Sequence, residues 1–150
     1  MITTASPPTR DYLSYSAVRT FQSCPLKYRF RYIDGLAEEC VSSALVFGSA
    51  IHAAVEFYFS QQLTGEDQPD LDTLLDVYQQ SWQDRSEQDV RFGKKETPDS
   101  LHDLADRMLR KFLESDLTQP EGRIIGVEEE LRGGLSPKLP DLLGRIDLLL

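Results

Sequence analysis

Three side chains stand out for the chemistry their surroundings allow. Asp147 lies in an otherwise aliphatic run, Gly144-Arg145-Ile146-Asp147-Leu148-Leu149-Leu150. A carboxylate among leucines is costly unless it is paired, exposed or bound to a metal. Two plain alternatives stand beside metal binding: a half-exposed strand that turns Asp147 to solvent, or pairing with Arg145 on the same face. His52 falls on a helical stripe with Leu45, Gly48, Val55 and Phe59, where the ordinary role of a histidine is a core residue hydrogen-bonded to backbone. Gly48, one turn earlier, costs about 1 kcal/mol relative to alanine in a helix interior. It predicts a close approach to this face by a strand or a metal site. Glu128, Glu129 and Glu130 follow Val127, and strand alternation puts Glu128 and Glu130 on one face, with a solvated acidic strand end as the simple reading. Taken together, an inward histidine, a strand glutamate and a strand aspartate are ligand types for a hard divalent cation such as magnesium or manganese. Such an ion stabilises the attacking and leaving oxygens of an in-line displacement at a phosphodiester.

These residues need helices and then strands to hold them. Ser14 or Ser16 can cap an aromatic helix carrying Val18, Phe21, Tyr28 and Tyr32, kinked or divided at Pro25 and stopped near Gly35. A second helix covers about 44–62, with His52 on its inward stripe. After a loop at 65–70, Leu71, Leu74, Leu75, Tyr78 and Trp82 give a third. The stretch 84–98 reads as an exposed connection, and Leu101, Leu104, Ala105, Met108 and Phe112 give a fourth helix capped by Asp99 or Ser100. The texture then changes to short aliphatic runs at 123–131 and 142–150, separated by Gly133, Gly134, Pro137 and Pro140, which predict two strands of a hairpin. The expected class is α/β: about four helices over 1–118, then the first strands of a mixed central sheet over 119–150, in one partial domain spanning 1–150. A two-stranded sheet leaves an unpaired edge, so the chain is expected to stop short of a complete domain.

Composition narrows the choices. With 150 residues and 40% hydrophobic content, the chain can bury a core. It has no signal-like start and no apolar run of membrane-spanning length, which makes a cytoplasmic location, with no membrane partner, the expectation. Its net charge of −9 argues against bulk electrostatic coating of nucleic acid, so any DNA contact must be local. Arg19, Lys27, Arg29 and Arg31, interleaved with Tyr28, Phe30 and Tyr32, offer one such contact, with Arg19, Lys27 and Arg31 as its candidates. The competing reading is a solvated helix face with its aromatic residues turned inward. Cys24 and Cys40 are too few for a disulfide framework or a complete zinc site.

Leu13-Ser14-Tyr15-Ser16, then Cys24-Pro25-Leu26-Lys27-Tyr28-Arg29-Phe30-Arg31-Tyr32, Phe47-Gly48-Ser49-Ala50-Ile51-His52, Val127-Glu128 and Gly144-Arg145-Ile146-Asp147 follow one another in this order. That order resembles the RecB-like branch of the PD-(D/E)XK nuclease superfamily, over nearly the whole chain. The resemblance implies a restriction-endonuclease-like core and a magnesium- or manganese-dependent DNA exonuclease. It implies His52 and Asp147 as metal ligands and Glu128 as the acidic strand residue that assists catalysis beside Asp147. Asp141, although preceded by Pro140, lies in the turn before the matching Gly-x-x-Asp position.

The family pattern continues with an acidic-x-lysine motif, and none of the 150 residues supplies Asp-x-Lys or Glu-x-Lys. The chain by itself is therefore expected to be an inactive fragment. In iron–sulfur members of the branch, an N-terminal cysteine such as Cys24 joins three later cysteines around a [4Fe–4S] cluster, and a structural role for Cys24 is the alternative. DNA, and a helicase or recombination and repair subunit, are the implied partners. A different class of function stands beside the nuclease: a non-catalytic DNA-end-binding or helicase-associated scaffold with a degenerate site.

Overall fold

The computed structural model describes residues 11–85, 89–134 and 136–150. Its elements are β1 (Tyr12–Ser14), α1 (Tyr15–Ser23), α2 (Pro25–Tyr28), a π-helical turn (Arg29–Ile33), β2 (Cys40–Ser42), α3 (Ser43–Thr64), α4 (Leu71–Arg85), β3 (Asp89–Arg91), α5 (Pro98–Leu113), a 3-10 turn (Asp116–Thr118), β4 (Gly126–Gly133) and β5 (Asp141–Leu149). One sheet has the order β1-β5-β4, and β2 pairs with β3 in a second. β1 runs parallel to β5, with Tyr12 opposite Asp141. β4 starts beside the end of β5, where Ile125 N–H donates to the Leu149 carbonyl at 2.9 Å. The sheet is thus mixed, and the class is α/β as expected. Among the described residues, no helix is long and apolar enough to cross a membrane.

The chain forms two compact units. The first takes in the residues up to Glu38 together with Glu129–Ile146. Ser14 opens α1 in extended backbone, its hydroxyl accepting the Ala17 N–H at 3.3 Å. Cys24 returns to extended backbone, and Pro25 occupies the first turn of α2, where a missing N–H costs nothing. Pro25 thus divides the aromatic helix, and Gly35, at φ +65°, follows its end. The reading in which the aromatic residues turn inward is met only in part, since Tyr28 and Tyr32 are partly buried. Phe21 and Phe30 are exposed, and Ala17 is the one buried residue among the described residues of this unit. Edge-to-face packing of Phe21 on Tyr28 at 5.4 Å, and a tilted contact of Tyr28 with Tyr32 at 5.1 Å, link the stretch internally. Arg132 ties Asp11 and Asp141 together at 2.7 and 2.9 Å.

The second unit, Glu39–Glu128 with Asp147–Leu150, holds the core. Ala50, Ala54, Tyr58 and Phe59 of α3 pack with Leu74 and Tyr78 of α4 and Ala105 and Leu109 of α5. Alanines at 50 and 54 keep the α3 surface low where its neighbours cross, which lets large side chains from the other helices fill the space. α3 ends at Gly65, whose φ of +76° suits glycine. Gly65 N–H then bonds Gln62 O, and Glu66 N–H bonds Gln61 O, so the last carbonyls are satisfied. α4 is opened by Asp70, which accepts the Thr73 N–H at 2.9 Å and the Thr73 hydroxyl at 2.7 Å. Both bonds hold the Asp70 carboxyl below its ordinary range.

Two local expectations are corrected here. The stretch 84–98 contains β3, whose parallel pairing with β2 sets Val41 opposite Val90. Residues 86–88 lie outside the described residues. The α5 cap is Thr97: its hydroxyl accepts the Ser100 N–H at 3.1 Å, and Ser100 reciprocates to the Thr97 N–H at 2.9 Å. Pro98 fills the first helical position, so the capping box begins one residue before it.

Ser43 is buried and donates its hydroxyl to Glu96, which also accepts the Gly93 N–H at 3.0 Å. The Ser43 bond, followed by the Gly93 bond, holds the Glu96 carboxyl below the usual 4.5. A depressed carboxyl stabilises the fold above its unfolded value, and that contribution is lost as pH falls through the folded value. Ser43→Ala is therefore expected to lower stability most near neutrality and to flatten the loss of stability on acidification below 4.5. Urea midpoints at about pH 7 and about pH 3 check this. An equal deficit at both values would refute it.

Candidate metal centre

α3 carries His52 on a side other than the one expected. The stripe that α3 buries runs through Val46, Ala50, Ala54 and Tyr58, while Leu45 and Gly48 are exposed and the His52 side chain retains 49% of its exposure. The helix is apolar around most of its circumference, so spacing alone did not fix which stripe faces the core. The inference from Gly48 is corrected too: a Cβ there would meet nothing within 4 Å. Gly48 does not accommodate a neighbouring element in this structure.

Glu128 reaches the same place from β4 by an irregular backbone. Its φ is +54°, a left-handed conformation for a residue with a side chain. That costs about 1–2 kcal/mol. A left-handed residue inside a strand interrupts the regular alternation and re-aims its own side chain. Glu129 and Glu130 beyond it are exposed, whereas the Glu128 side chain is only 13% exposed and its Oε1 is screened from solvent. The acidic run is thus two solvated glutamates and one that turns inward.

Asp147 completes the group from the end of β5. Its side chain is 78% exposed, as the solvent-facing alternative requires, yet its Oδ1 lies 3.3 Å from His52 Nε2. Glu128 Oε1 lies 3.3 Å from the same nitrogen. One ligand atom from each of His52, Glu128 and Asp147 falls within 4.8 Å of the others, and all three residues belong to the second unit. Donor atoms adjacent on an octahedron with metal–oxygen bonds of about 2.1 Å are roughly 3 Å apart, so two separations of this set are close to what a small hard cation needs. Two carboxylates and an imidazole also supply the right charge and donor types. The residues present fit a divalent ion.

The other predicted residues lie elsewhere. Arg19, Lys27 and Arg31 are all exposed in the first unit. Arg31 shares its charge with Glu38 at 3.2 Å and lies 5.8 Å from the centre of the Tyr32 ring. Cys24 is exposed, and its sulfur accepts the Lys27 N–H at 3.4 Å as the cap of α2. Asp141 is corrected in position: it is the first residue of β5 and not part of the turn before it, and its carboxylate pairs with Arg132. Sequence reasoning missed the backbone of Glu128, for which no residue-type signal existed, and the aromatic surroundings of His102, which was not singled out.

Residues 12–150 match the family model described as PD-(D/E)XK nuclease superfamily. No curated protein and no solved structure matches the chain. The mixed α/β architecture is consistent with a restriction-endonuclease-like fold, and nucleases of this kind use divalent metals, for which His52, Glu128 and Asp147 form a suitable group. The chain belongs to the PD-(D/E)XK nuclease superfamily.

Proposed function

We propose that this chain is the metal-holding part of a RecB-like DNA nuclease, a partial domain whose ion is magnesium or manganese. The observation that carries the reading is the meeting of His52, Glu128 and Asp147 within 4.8 Å, from a helix and two strands far apart in sequence. The motif order of the sequence, from Cys24-Pro25 through Gly48-x-x-x-His52 to Gly144-Arg145-Ile146-Asp147, supports the RecB-like branch.

When bound, the ion supplies charge stabilisation to the attacking and leaving oxygens of a phosphodiester. In this reading His52 and Asp147 bind the ion directly. Glu128 is the assisting carboxylate, pre-positioned by its backbone. Arg19, Lys27 and Arg31 contact DNA phosphates, locally enough to offset a net charge of −9. Cys24 takes the capping role that its sulfur already fills, rather than that of a cluster ligand, since a [4Fe–4S] cluster needs four thiolates. A helicase or repair subunit is the kind of partner that an exonuclease of this branch would serve.

No Asp-x-Lys or Glu-x-Lys occurs in the 150 residues, so the chain alone is expected to bind the ion without cleaving DNA. A second reading is a scaffold that binds DNA ends without hydrolysis, which requires that no acidic-x-lysine motif complete the site in the natural gene product. The test is cleavage of end-labelled single-stranded DNA with Mn2+ by the natural gene product and its His52→Ala variant. Cleavage lost in the variant with DNA affinity retained supports the nuclease. Equal cleavage by both removes His52 from the site, and no cleavage by either, with DNA still bound, turns the reading to the scaffold.

A further inference from the structure

Between α4 and the start of α5 lies an open pocket of about 430 Å³, with Tyr78 and Trp82 on one side and Asp99, His102 and Asp103 on the other. It shares no residue with the His52 group. Tyr78 is only 2% exposed, and its hydroxyl, for which no hydrogen bond is found among the described residues, is not one of the side-chain atoms sealed from solvent. Its hydrogen-bonding capacity is thus open to a partner in the pocket that Tyr78 lines. Burial pushes this phenol up to about 12, so it stays protonated and keeps a lone pair to offer.

Two further rings of the pocket flank that oxygen's residue. Tyr78 lies 6.1 Å from Trp82 at an interplanar angle of 36°, and 6.1 Å from His102 at 51°. Asp99 and Asp103 are one helical turn apart, both exposed, and neither has an ion pair among the described residues. Like charges at this spacing repel. Aromatic faces and carboxylates each attract a cation, and the carboxylates exclude a phosphate or a nucleotide. Of the cations, a guanidinium fits the group best: it is planar, it stacks on tryptophan, and its several N–H groups can serve two carboxylates and a phenolic oxygen together.

We infer that the Tyr78–Trp82–His102 pocket is a docking site for an arginine side chain of a partner polypeptide, held between the aromatic rings and the carboxylates of Asp99 and Asp103. The pocket opens onto the surface of an acidic chain, which suits an arginine carried on a basic segment. Trp82 is the chain's single tryptophan, so its fluorescence reports on this pocket alone.

The test is a fluorescence titration of the chain with Nα-acetyl-arginine N-methylamide, alongside the uncharged citrulline analogue and spermidine. The arginine compound is expected to give a saturable change, and the citrulline compound none. The double variant Asp99→Asn, Asp103→Asn, at exposed positions that leave the circular dichroism unchanged, is expected to weaken binding by about tenfold. Tyr78→Phe, which keeps the ring and removes the unpaired oxygen, is expected to weaken it about threefold. Equal response to citrulline, unchanged affinity in the double variant, or tighter binding of spermidine than of the arginine compound would each overturn the inference, the last by pointing to a free polyamine.

Discussion

Asp147→Asn is expected to lower the affinity of this chain for Mn2+ by at least about 100-fold, a loss at or beyond the upper end of what removing a supporting group alone does. The amide keeps the size of the side chain and one oxygen, but it removes the negative charge that a hard cation requires. Because the side chain is 78% exposed, the substitution removes no packing. Stability should therefore stay within about 0.5 kcal/mol, as for most surface changes. Titration calorimetry or the Mn2+ spin-resonance signal measures the first quantity and urea denaturation the second. Unchanged Mn2+ affinity would exclude Asp147 as a ligand. A matching loss of stability would mean that the residue holds the strand in place instead.

Glu128 gives the second large effect, in which two variants alike in binding separate in stability. Glu128→Ala and Glu128→Gly both remove the assisting carboxylate and should both weaken Mn2+ binding to the same extent, by roughly 10- to 100-fold. Their stabilities should differ. Inside an ordinary strand glycine is the worse residue, by roughly 0.5–1 kcal/mol relative to alanine. At a φ of +54° the order reverses, because the Cβ of alanine meets the preceding and following backbone and glycine has none. Glu128→Gly is thus expected to be more stable than Glu128→Ala by about 1 kcal/mol, read from urea midpoints. If alanine is the more stable, the left-handed backbone at this position is not what costs the energy.

Much of the fold was legible because its long helices repeat apolar residues at three- and four-residue steps, with Ser14, Pro25 and Gly35 punctuating the first of them. The phase of α3 was not legible. Leu45, Val46, Phe47, Ile51, Val55 and Phe57 surround it, so which stripe faces α4 is decided by the small residues Ala50 and Ala54 and not by hydrophobicity. β1, β2 and β3 are three residues each, too short for alternation to declare itself.

At the candidate site, residue type and strand context drew attention to Asp147, but they equally permitted a solvent-facing aspartate. The structure satisfies both descriptions, since the carboxylate is exposed and also faces His52. The turn of Glu128 towards that histidine follows from a backbone angle that no pattern of residue types encodes.

The parallel pairing of Cys40 with Asp89 joins the two ends of the α3–α4 segment. A short strand pair cannot stabilise so long a closed loop by itself, because the entropy of closure comes before any ladder bond is gained. The two helices must first find one another and bring the chain back to where it left. β2 and β3 then act as a clasp on a helical pair already formed, late in folding and early to release. Ser43 and Glu96 sit just beyond the two strands, so their hydrogen bond fastens that clasp at its helical end.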